Sequence, residues 1–122
     1  MTTAEDLAET SLRLTKEQDR AGWLALFATE AFVEDPVGGG RHEGIEAITA
    51  FYDSTISTVT SFDYEIERSY LCGSEAAVVI KFAIVGAGFA LDMDVVNVYG
   101  ATADGNHLLS LRSWWDGSRQ GK

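Results

Sequence analysis

In the first half of the chain the apolar positions recur at helical spacing. Leu7, Ser11 and Leu14, with Leu12 nearby, share one face of a helix that Thr3 caps and that runs to about Lys16. Asp19 reads as the cap of a second helix, on which Trp23, Leu26 and Phe27 share a face. Ala31 to Glu34 is a short strand that delivers Asp35, and Gly44 opens a third helix with Ile45, Ile48, Phe51 and Tyr52 turned inward. The period then switches to alternation. Phe62 to Glu67, Ala76 to Val85, Phe89 to Tyr99 and Leu108 to Trp115 read as four strands. Turns at Cys72-Gly73-Ser74, Gly86-Ala87-Gly88 and Asp104-Gly105 separate them. Three helices followed by a four-stranded antiparallel meander predict an α+β domain, a curved sheet wrapped around helices. Without repeats or linkers, residues 1–122 form a single domain.

Strand parity assigns faces. Leu91, Met93, Val95, Asn97 and Tyr99 share one face of their strand, and Ala90, Asp92, Asp94, Val96 and Val98 the other. If the first set faces the concave side, Asn97 is a buried amide that must find partners, either neighbouring backbone or a ligand. Leu109, Leu111, Ser113 and Trp115 share one face of the last strand. Arg112 falls on the other, where it could pair with Asp92 or Asp94. Tyr52, Tyr64 and Tyr99 read first as amphiphiles of the core.

Composition narrows the partners. A formal charge of −10, with 9 basic and 19 acidic residues, argues against nucleic acid and against an anionic membrane surface. The three tryptophans, four tyrosines and six phenylalanines can line a cavity as well as fill a core. A small neutral, apolar ligand fits this balance. One cysteine, Cys72, excludes an intrachain disulfide, and two histidines, His42 and His107, are too few for a zinc site. No metal or organic cofactor is expected. No run approaches membrane-spanning length and no leader-like segment opens the chain, so a soluble cytoplasmic protein is the expectation.

Candidate chemistry concentrates at Phe32-Val33-Glu34-Asp35-Pro36-Val37. Proline fixes its own φ and restricts the residue before it, so Asp35 is a held carboxylate where an apolar run meets a glycine loop. A general base needs that setting, and a turn aspartate capping nearby amides fits it equally well. Gly38-Gly39-Gly40 precedes no Lys-Ser/Thr pair, so a phosphate loop is disfavoured, and no Ser or Cys pattern accompanies either histidine.

Three segments resemble the ketosteroid isomerases of the nuclear-transport-factor-2-like (SnoaL-like, polyketide cyclase) superfamily. They are Asp19-Arg-Ala-Gly-Trp-Leu-Ala-Leu-Phe27, Glu34-Asp-Pro-Val-Gly38 with His42-Glu-Gly44, and Ala47-Ile-Thr-Ala-Phe-Tyr52. The Glu75-Ala76-Ala77 strand start and Ser110-Leu111-Arg112 extend the match over most of the chain. The resemblance implies a cone-shaped half-barrel of the cystatin-like kind with a deep apolar pocket, in a homodimer formed through the sheet. It places Asp35 on the general base and Tyr52 on a tyrosine that buttresses the oxyanion network. Phe51, Tyr99 and Trp115 fall on apolar walls, and Phe27 and Ser11 join the expected substrate contacts. The family's principal oxyanion donor is a first-helix tyrosine, matched here by Ser11, and no tyrosine precedes Tyr52. Its second donor is a protonated aspartic acid, matched here by Asn97.

The leading expectation is therefore double-bond isomerisation of a hydrophobic, steroid- or polyketide-like ketone, with Asp35 moving the proton and Asn97 and Tyr52 serving the oxyanion. Epoxide hydrolysis or polyketide cyclase-like chemistry is the alternative, and would need Asp92, Asp94 and Arg112 to converge in the pocket. A third reading is a non-catalytic dimeric module that binds hydrophobic ligands.

Overall fold

The computed structural model describes residues 2–116, so the domain expected over 1–122 runs past these bounds at both ends. Three helices, α1 (Ala4–Glu17), α2 (Arg20–Ala25) and α3 (Ile45–Ser54), pack against one curved sheet. Its strands are β1 (Phe27–Glu34), β2 (His42–Glu43), β3 (Val59–Cys72), β4 (Glu75–Gly86), β5 (Phe89–Ala101) and β6 (Leu108–Trp114). They lie in the order β2-β1-β6-β5-β4-β3.

Helix α1 starts where the sequence places it. Thr3 Oγ1 accepts from the Asp6 N–H, and the Thr3 N–H donates to Asp6 Oδ2 at 2.9 Å, a reciprocal cap. Gln18 ends the helix in the left-handed conformation, φ 59°. Leu7, Ala8, Leu12 and Leu14 bury its inner face in the core with Val78 and Ile80 of β4. Each buried leucine contributes about 1.5–3 kcal/mol. Gly44 precedes α3 at φ 87°, a conformation that favours glycine, and this turns Ile48, Phe51 and Tyr52 inward.

The long hairpins β3-β4 and β4-β5 and the β5-β6 pairing are antiparallel, as the alternation predicts. Three features depart from it. First, β1 is longer than expected and takes up Phe27, which begins a strand instead of extending α2. Secondly, β1 runs parallel to β6, with Val33 opposite Leu111 and Glu34 opposite Arg112, and the two-residue strand β2 flanks it. Thirdly, a bulge between Gly100 and Ala101 shifts the register against β6, so Leu108 is fully buried and Leu109 is exposed. The shared face expected for Leu109 and Leu111 is thereby corrected.

Candidate active site

The concave face of the sheet, closed by α1 and α3, encloses an apolar cavity of about 420 Å³. That size suits a small organic ligand. Ser11, Leu12 and Trp23 form part of the helical wall, with Phe51 from α3. Phe62, Phe82, Ile84, Leu91 and Met93 line the strand side. Asn97, Tyr99 and Ser113 bring polar groups to the same cavity, and Asp35 is the one carboxylate among the described residues that line it.

Strand register explains how Asp35 gets there. Glu34 pairs with Arg112 across the parallel β1-β6 ladder, and the Val37 N–H donates to the Ser113 carbonyl at 2.9 Å. Asp35 is therefore fixed between two anchored neighbours, and its peptide bond to Pro36 is cis. Alternation sends Glu34 to one face and Asp35 to the cavity. The Trp115 indole N–H donates to Asp35 Oδ1 at 2.7 Å. Burial raises the Asp35 carboxyl above its ordinary 3.8. The Trp115 hydrogen bond and the positive charge available to His42 pull it back down. His42, on β2, stacks on Phe51 with ring centroids 4.9 Å apart.

Glu34 has opposite surroundings. Arg112 Nε donates to its Oε1 at 2.9 Å, the Gly38 N–H donates to Oε2 at 3.2 Å, and Arg41 lies 4.0 Å away. Hydrogen bonding to Arg112 and then to Gly38 lowers its carboxyl below 4.5. Arg112 is therefore committed to Glu34, not to Asp92 or Asp94. Both of these aspartates are exposed, Asp94 with a 2.8 Å contact to Lys81. The Asp92, Asp94 and Arg112 cluster that epoxide chemistry would need does not line the cavity.

Asn97 and Tyr99 form the second polar feature. Asn97 Nδ2 donates to the Tyr99 hydroxyl at 2.9 Å, and Asn97 Oδ1 is buried without a hydrogen-bond partner. Burial pushes the Tyr99 phenol up from 10.0. Hydrogen bonding with the Ser11 and Asn97 side chains acts in the other direction, and the Asp35 charge raises it further. Ser11 donates its own proton to the Ala8 carbonyl at 2.9 Å.

The cavity thus brings together Asp35, Asn97, Ser11, Phe51, Tyr99 and Trp115. Two expected site residues are not among its lining. Tyr52 packs on Trp23, with centroids 5.2 Å apart, and borders an adjoining cleft of about 220 Å³ that shares Thr15, Ile56 and Val59 with the cavity wall. Its place is set by helix α3, which turns the ring behind Trp23. Phe27 is buried in the core, 4.8 Å from the Trp23 ring, because it begins β1. The sequence reading treated Tyr99 as an apolar wall, although strand parity already put its ring on the Asn97 side. His42 carried no signal of its own, because β2 is too short to show alternation.

Residues 8–107 match the family model described as a SnoaL-like domain. The chain belongs to that family. Among solved structures, it is similar to a Delta 5-3-ketosteroid isomerase from Mycobacterium sp., with 26% identity over 98% of each chain and a TM-score of 0.86. It is also similar to RV0760c from Mycobacterium tuberculosis in complex with estradiol-17beta-hemisuccinate, with 26% identity, full coverage of both chains and a TM-score of 0.88. A computationally designed 17-OHP binder is similar at 25% identity over 98% of each chain, TM-score 0.87. No curated protein matches the chain by sequence. Among the described residues, no helix of this SnoaL-like protein is long and apolar enough to cross a membrane. Nor do three or more His, Cys, Asp or Glu side chains among them group to hold a metal ion.

Proposed function

We propose that this SnoaL-like protein is a ketosteroid-isomerase-like enzyme that shifts a proton within a hydrophobic, polycyclic ketone. One observation carries the reading: a single desolvated carboxylate, Asp35, shares an apolar cavity with the hydrogen-bonding pair of Asn97 and Tyr99. Asp35 takes the proton from a carbon next to the carbonyl. The C–H electron pair becomes a carbon–carbon double bond, and the carbonyl π electrons move to oxygen. The neutral acid then returns the same proton to another carbon of the dienolate, so no oxidant, reductant or water is consumed. The Asn97–Tyr99 pair stabilises the charge on oxygen in the intermediate. A base with a raised pKa suits this task, because it both accepts and gives back a proton near neutral pH.

Similarity to a ketosteroid isomerase and to a protein solved with estradiol-17beta-hemisuccinate supports a ligand of that shape. Epoxide opening is ranked lower, since Asp92, Asp94 and Arg112 lie outside the cavity lining. The protein acts as a cytoplasmic, single-domain homodimer in this reading. Exposed Val96 and Trp114, cross-strand neighbours in the β5-β6 ladder, lie on the sheet face through which it would pair.

The test follows a β,γ-unsaturated 3-ketosteroid by ultraviolet absorbance as it becomes the conjugated enone. Wild type is expected to turn it over, and Asp35→Asn to lose about 10²–10⁴-fold, the usual worth of a positioned acid–base group. Turnover that survives Asp35→Asn would refute the mechanism.

A further inference from the structure

We infer that Tyr99, on strand β5, is the group that donates a hydrogen bond to the substrate oxygen, with Asn97 acting through it as a positioning residue. The inference rests on the isomerase reading and assigns the donor within it.

The geometry is directional. Asn97 Nδ2 donates to the Tyr99 oxygen at 2.9 Å, so the phenol accepts from the amide and keeps its own proton to give elsewhere. Ser11 is its other side-chain hydrogen-bonding neighbour, and the Ser11 proton goes to the Ala8 carbonyl at 2.9 Å. At rest Ser11 Oγ can accept the phenol proton. A substrate carbonyl that gains negative charge is a stronger acceptor and draws that proton into the cavity. Accepting from Asn97 polarises the phenol and makes it a better donor. Burial keeps it protonated at neutral pH.

Position supports the same assignment. Tyr99 and Asp35 line one cavity, and the Asp35 charge acts on the Tyr99 phenol. Protonation of Asp35 during the reaction removes a negative charge from beside Tyr99 as charge grows on the substrate oxygen. Ser11 on α1 lines the same cavity within hydrogen-bonding reach of the Tyr99 hydroxyl. Tyr52, the other buried tyrosine near this region, borders the adjoining cleft and is not among the residues that line the cavity.

The experiment compares Tyr99→Phe, Asn97→Leu, their double variant and Tyr52→Phe, with melting temperatures confirming that each folds. Turnover of the β,γ-unsaturated 3-ketosteroid is read beside the ultraviolet spectrum of a bound planar phenolic steroid, whose ionised fraction reports donation at the site. Tyr99→Phe is expected to lower kcat about 10²–10³-fold and to abolish the spectral shift. Asn97→Leu should cost less, the double variant no more than Tyr99→Phe alone, and Tyr52→Phe almost nothing. Rotating the Asn97 amide by 180° would reverse the roles. In that case Asn97→Leu carries the loss and Tyr99→Phe stays within about threefold of wild type, which overturns the assignment. A loss carried by Tyr52→Phe overturns it too.

Asp35→Asn, run alongside, separates this inference from the reading beneath it. If that variant still turns over but Tyr99→Phe loses the spectral shift, the base assignment fails and the donor assignment stands. If Asp35→Asn is inactive while Tyr99→Phe keeps both readouts, the donor assignment fails alone. A wild type that neither turns over nor shifts the phenol overturns both.

Discussion

Glu34 and Asp35 share a peptide bond, yet one faces two arginines and a backbone N–H while the other faces apolar walls and a single indole. Strand alternation sends them to opposite sides of β1, and the parallel ladder to β6 supplies a different environment on each. Arginine and the Gly38 amide hold the Glu34 carboxyl low, whereas burial lifts that of Asp35. Two adjacent acids thus divide the work. Glu34 anchors the end of the strand, and Asp35 is left desolvated on that anchor, as the proposed base requires. Environments that push neighbouring carboxyls apart are how one fold obtains an inert and a reactive acid side by side.

The sharpest way to break the comparison is to neutralise each partner in turn and read stability as well as turnover. The folded pKa of Asp35 lies above its unfolded 3.8, so its contribution to stability is greatest below pH 3.8 and is lost as pH rises through the folded value. At pH 7 the buried charge is a net cost, and Asp35→Asn is expected to melt a few degrees higher while losing turnover. For Glu34 the sign reverses. Its folded pKa lies below 4.5, and its contribution is present above 4.5 and lost as pH falls through the folded value. Glu34→Gln should therefore melt lower at pH 7, by a margin that shrinks at pH 3. Its kcat should fall less than about tenfold, because it positions the base without touching substrate. Calorimetry at the two pH values checks both signs.

A smaller effect sharpens the contrast. Trp115→Phe removes the hydrogen bond that partly offsets burial at Asp35. The acid limb of the kcat/KM profile should move to higher pH, with the plateau changed less than the limb. An unmoved limb would mean that the indole does not contact the working carboxylate.

Much of this was legible along the chain. The helical spacing in α1 and α3 and the alternation in β3 to β5 are local signals, and each led to the correct face. Parity put Asn97 and Tyr99 on the cavity side. What was illegible depends on contacts distant in sequence. Nothing near Arg112 announces that β1 will lie parallel to β6, so its partner was sought on β5 and proved to be Glu34. The bulge opposite Gly100 and Ala101, where Leu109 is the extra residue, exchanges Leu108 for Leu109 in the core, and a count by twos cannot anticipate it. Tyr52 shares the inward face of α3 with Phe51, yet Trp23 from α2 packs against it and it stays out of the cavity lining. Tyr99 was misjudged in kind and not in place. Its ring belongs to the wall, while its hydroxyl meets Asn97 and Ser11 only because β5 and α1 are brought together.

The most direct measurement is a carbon-detected nuclear magnetic resonance titration of the side-chain carboxyls of Asp35 and Glu34 in the same sample. Asp35 is expected to titrate above 3.8 and Glu34 below 4.5, with the Asp35 midpoint moving up further in Trp115→Phe. An Asp35 midpoint at or below 3.8, beside a Glu34 midpoint above 4.5, would contradict the division of roles between them.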